Sequence, residues 1–93
     1  MISDEILRNV ADLFNGDTED DFFKYKTGPQ LVAFFNTHFG YDDSYGQGFP
    51  SRWYFTLDKL VDLINKKKID TFLSLVLSKR YLMVEKQFRK LTL

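Results

Sequence analysis

Apolar residues recur at helical spacing in several stretches of the chain. Ile6, Leu7, Val10, Leu13 and Phe14 fall on one face of a first helix. Ser3 is placed to cap it, and Asp4 and Glu5 suit its positive end. Asn15-Gly16 is a stop, because glycine enters the left-handed region at little cost. Leu31, Val32, Phe35 and Phe39, flanked by Phe34, predict a second helix opened by Thr27-Gly28-Pro29 and closed by Gly40. Trp53, Leu57, Leu60, Val61 and Ile64 predict a third, starting at Pro50-Ser51 and ending at Asn65. Ile69, Phe72, Leu73, Val76 and Leu77, widened by Leu75, predict a fourth over residues 70–79, the most buried of the set. Tyr81, Leu82, Val84, Phe88 and Leu91 suggest a last helix. Residues 17–26 are less regular. Thr18 followed by Glu19, Asp20 and Asp21 predicts a short helical turn, packed down through Phe22, Phe23 or both.

No internal repeat and no two-residue alternation stands out, and the aromatic run at 52–57 fits a helical face better than a strand. The fold class is therefore all-α: a bundle of four to five short helices in one domain, residues 1–93. Its unusual part is the central stretch from Gly40 to Tyr54, with three glycines, one proline and five aromatics. Gly46-Gln47-Gly48 permits positive φ angles, which would let Tyr45 and Phe49 tuck inward. Asp42 and Asp43 then come within reach of Arg52, and Trp53 is expected in the core. Arg52 has two open roles. One is structural, a guanidinium packed on an aromatic face or paired with a loop carboxylate. The other is contact with a phosphate or a partner carboxylate.

Charge changes the picture at the C-terminal end. The chain is formally neutral, yet residues 1–65 hold eleven acids against five bases and residues 66–93 hold eight bases against two acids. Lys66, Lys67, Lys68, Lys79 and Arg80 form a candidate basic patch, read either as nucleic-acid contact or as solvation of helix ends. The aromatic share of 17% supplies a modest core despite the short chain. The chain has no cysteine, no apolar run long enough for a bilayer, and acids where a signal peptide carries bases. A soluble, cytoplasmic domain without a membrane partner is the expectation. The absence of a capping signal before Leu93 suggests a module cut from a longer protein.

Residues for catalysis are few. His38 is the sole histidine, so a His-based triad and a multi-His metal site have no parts. At the end of the second helix it caps carbonyls or faces solvent. The adjacent acids Asp42 and Asp43 are poorly disposed to flank one substrate bond. The acidic run at 17–21 lacks the alternating ligands and central glycine of a calcium loop. Gly46-Gln47-Gly48 matches no phosphate-binding motif. No catalytic residue, cofactor or metal ligand is assigned, and the chain is not expected to be an enzyme.

Three segments carry a family resemblance: Gly28 to Asn36, Phe39-Gly40-Tyr41, and Gly46 to Arg52. With Leu60 to Asn65 and Leu77 to Tyr81, they resemble the N-terminal domain of bacterial abortive-infection proteins of the AbiJ type. The resemblance spans about residues 27–82. It implies a helical sensor or recruitment module joined to a C-terminal effector, often an HEPN-type ribonuclease, that halts the phage-infected cell. That nuclease needs R-x-x-x-x-H. Ala33 stands where its arginine would precede His38, so the resemblance places any nuclease outside these residues. The partner is then a protein or an effector domain of the same chain. The alternatives are a nucleic-acid-binding module using the basic C-terminal third and a death-domain-like self-association module.

Overall fold

A computed structural model describes residues 3–19 and 22–78. Four helices follow one another: α1 (Asp4–Asn15), α2 (Gly28–Phe39), α3 (Arg52–Asn65) and α4 (Ile69–Val76). Among the described residues there is no strand.

The predicted helix signals act as expected at the first two helices. The Ser3 hydroxyl accepts from the Ile6 amide at 3.2 Å. Thr27 and Gln30 form a reciprocal capping box, the Thr27 amide donating to Gln30 Oε1 at 2.9 Å. Gly16 and Gly40 close α1 and α2 in the left-handed conformation. Gly16 has a second role. A Cβ there would lie 2.4 Å from the Tyr25 backbone, so the returning chain packs directly on this glycine.

The core is a cluster of phenylalanine rings. Phe14 of α1, Phe35 of α2 and Phe72 of α4 are almost fully buried. Phe14 meets Phe72 edge-on at 5.3 Å between centroids, and Phe35 stacks on Phe72 at 6.1 Å. Both are favourable aromatic geometries. From α3 come Phe55, Leu60 and Leu63. Phe34 packs partly buried, as its place at the flank of the α2 stripe predicts, and Phe39, expected within the buried stripe, is also only partly buried.

Several expectations need correction. The face of α3 is turned from the one predicted. Phe55, Thr56, Lys59, Leu60 and Leu63 are buried, whereas Trp53 is 38% exposed and Val61 is also exposed. Two overlapping apolar arcs share Leu60. Burying the second brings Thr56 Oγ1 to within 2.7 Å of Asn15 Oδ1, a bond the first arc cannot supply. In α1, Ala11 and Asn15 are buried and Ile6 is exposed; Asn15 faces α3, where its side chain accepts from Thr56. The described parts of 17–26 are not helical. This segment folds back as a loop closed by the Lys26 amide on the Asn15 carbonyl at 2.9 Å. Phe23 is buried in it and Phe22 is exposed. Helix α4 ends at Val76, with Leu77 exposed, short of the predicted Lys79, and it is not the most buried helix, since only Phe72 and Val76 are buried in it. The proposed fifth helix lies outside the described residues.

Candidate functional site

The polar residues singled out in the sequence divide between two places. The first is the C-terminal end of α1, where Arg52 is the hub. Its Nε donates to the Lys26 carbonyl at 2.7 Å and its Nη2 to the Asn15 carbonyl at 2.9 Å. Nη1 donates to both Asp17 carboxylate oxygens, at 3.0 and 3.2 Å. The guanidinium carbon lies 4.0 Å from the Tyr25 ring centroid. Arg52 is thus paired and stacked, as one of its two readings holds, but with Asp17 and Tyr25. The expected Asp42 or Asp43 partner is not used. Neighbouring Lys26, 8% exposed, donates through Nζ to the Phe14 carbonyl at 2.9 Å. Helix α1 carries no base in its own last turn. Its negative end is answered by Lys26 and Arg52, cations from distant parts of the chain.

The second place is the connection between α2 and α3. Asn36 grips it from α2, donating through Nδ2 to the Asp43 carbonyl at 2.9 Å and accepting from the Asp43 amide at 3.1 Å. The Asp43 carboxylate pairs with Lys59 at 2.7 Å. Lys59 is 8% exposed, and its ammonium lies over Tyr41 and Phe55 at 4.3 and 5.1 Å. The Tyr41 hydroxyl donates to Asp62 at 2.5 Å, and Lys66 pairs with the same carboxylate oxygen at 2.8 Å. Burial, then the hydrogen bond to Asp62, pushes Tyr41 well above the usual phenol range. The bond from Lys66, followed by that from Tyr41, holds Asp62 below its ordinary value.

Phe49 tucks against the core, its ring 4.9 Å from Phe55. Gly48 supplies the positive φ that the glycine pair was expected to provide. Tyr45 does not tuck in. It is exposed and lies across Gly28, where a Cβ would come 2.2 Å from its ring. Asp42 is exposed too. Trp53 and Tyr54 sit edge to face at 5.8 Å, with the Arg8 guanidinium 4.6 Å from the Trp53 ring. Together they form an exposed aromatic edge at the start of α3.

A shallow cleft of about 260 Å³ opens beside that edge, between the connection and α3. Asp43, Phe49, Pro50, Tyr54, Asp58 and Lys59 are among the residues that line it. Asp58, Lys59 and Tyr54 were missed in the sequence. The one usable signal was that Tyr54 and Asp58 are four residues apart on a helix and so share a face. In the candidate basic patch, Lys66 is committed to Asp62, while Lys67 and Lys68 are exposed at the turn into α4. Lys79 and Arg80 lie outside the described residues. His38 is exposed, its ring 4.8 Å from Phe34. Among the described residues no group of three or more metal-ligating side chains is placed to hold an ion. No helix there is long and apolar enough to cross a membrane. No family model, curated protein or solved structure matches the chain.

Proposed function

We propose that this domain is a non-catalytic interaction module that meets a protein partner through the aromatic edge of Trp53 and Tyr54. The carrying observation is a contrast between neighbours on one helix. Arg52 is spent on internal bonds, whereas Trp53 and Tyr54 next to it are exposed large aromatics. Adjacent exposed aromatics with an arginine beside them have the composition of binding hot spots. The other polar side chains of the region, Lys26, Asn36, Asp43 and Lys59, bind chain segments to one another. The resemblance to abortive-infection proteins gives this module a setting, as the sensor or recruiting domain of a phage-defence protein whose effector lies elsewhere. That setting is carried by the resemblance alone.

A photo-crosslinking phenylalanine analogue at position 54, introduced in the protein's own cells, tests the reading. A discrete protein adduct from position 54, absent from the exposed control position Thr37, is expected. Failure to form an adduct, or an adduct removed by ribonuclease, contradicts it; the second result favours the nucleic-acid alternative.

A further inference from the structure

We propose that the cleft beside Tyr54 receives a cationic side chain of the partner, arginine in preference to lysine. This rests on the interaction reading above and names the chemistry the partner must present. At about 260 Å³ the cleft is smaller than the about 300–1,000 Å³ usual for small-molecule sites, and suits one side chain rather than a metabolite.

Two carboxylates and one ammonium line it: Asp43, Asp58 and Lys59. Asp43 and Lys59 neutralise each other at 2.7 Å. Asp58 is exposed and makes no hydrogen bond or ion pair among the described residues. An uncompensated negative charge therefore remains at the cleft wall, and it disfavours phosphate or carboxylate ligands there. The adjoining cleft shares Asp58 and Lys59 and brings no further cation; the one charged group it adds, Asp62, is paired with Lys66.

The exposed Tyr54 ring stands one helical turn before Asp58, on the same side of α3. A carboxylate beside an aromatic face is a cation-recognising pair: the ring attracts the cation over its face, and the carboxylate accepts its donors. A guanidinium uses both at once, because it is flat enough to stack and carries a donor fork that matches a carboxylate. An ammonium has the charge without the plane. The same cation-on-ring arrangement already occurs within the chain, where Arg52 lies over Tyr25 and bonds Asp17.

The test is amide-resolved NMR of the 93-residue chain titrated with a capped Gly-Arg-Gly peptide, and with the same peptide carrying neutral citrulline. Arginine peptide is expected to shift the amides of Ser44, Gln47, Tyr54 and Asp58, and the citrulline peptide is not. Asp58→Asn, which alters an exposed side chain and should melt like wild type, is expected to weaken binding about three- to tenfold. Silence at these amides, an equal response to citrulline, or unchanged affinity in Asp58→Asn overturns the inference. A specific protein adduct from position 54 alongside such a result would leave the interaction reading standing.

Discussion

The Arg52 guanidinium donates to the Asn15 backbone carbonyl at 2.9 Å, joining the first residue of α3 to the last residue of α1 across 37 positions of sequence. The same carbonyl accepts from the Lys26 amide, so one oxygen holds both the helix and the loop that returns to it. Arg52 Nε takes the Lys26 carbonyl in turn. Three chain segments meet through one side chain.

Lysine cannot replace that arrangement, because an ammonium does not present donors in a rigid plane. Arg52→Lys is expected to lower stability by about 1–3 kcal/mol, the range of one or two charge-assisted bonds at a partly exposed site. Urea denaturation measures the loss. Hydrogen exchange should localise it, with faster exchange at the Lys26 amide than at amides within α2.

Gly16 is expected to tolerate no side chain. Alanine there combines an unfavourable left-handed conformation, about 1–2 kcal/mol, with a Cβ 2.4 Å from the Tyr25 backbone. Backbone cannot move aside as a side-chain tip can. Gly16→Ala should therefore fall well below Gly40→Ala in thermal stability. Position 40 shares the positive φ but has nothing within 4 Å of the added carbon.

Much of this fold was legible in the sequence, for reasons that are local. Ser3, Thr27, Gly16 and Gly40 act on backbone groups within a few residues, so the bounds of α1 and α2 followed from them. The rotation of α3 was not legible. Trp53 and Phe55 begin two competing apolar arcs, and the choice between them depends on Thr56 finding Asn15, 41 residues away. Arg52's aromatic and carboxylate contacts followed from its chemistry, but the identity of the partners did not. Loop carboxylates nearby in sequence lost to Asp17, because the Asn15 carbonyl at the end of α1 and the Lys26 carbonyl on the returning loop bind Arg52 beside it. The cleft was hidden for the same reason: nothing local to Tyr54 or Asp58 shows that the connection folds beside them.

The Tyr41–Asp62 bond should show in the pH dependence of stability. Asp62 is held below its ordinary 3.8, so its contribution is present above that value and lost as pH falls through the lower folded value. Tyr41 is raised above 10.0, so its contribution is complete below that value and lost as pH rises through the higher folded value. Urea midpoints across the acid and alkaline limbs are the measurement. Asp62→Asn should flatten the acid limb, and Tyr41→Phe the alkaline one.

Asn36 reads both polar groups of the Asp43 backbone, and Asn36→Ala removes both bonds at once. A loss of about 1–3 kcal/mol is expected. Exchange protection should fall at the Asp43 amide while the α1–α3 contacts stay protected. The same variant should weaken arginine-peptide binding, because the Asp43–Lys59 pair that leaves Asp58 uncompensated depends on this anchor.

Adjacent residues test the central claim most directly, that Arg52 serves the fold and Trp53 serves a partner. Thermal melts of Arg52→Ala and Trp53→Ser are compared with wild type. The account predicts a clear drop for Arg52→Ala, equivalent to about 2–4 kcal/mol, and a smaller one for Trp53→Ser, below the about 3–5 kcal/mol cost of truncating a fully buried aromatic. The reverse order, with Trp53→Ser collapsing and Arg52→Ala melting like wild type, would contradict it.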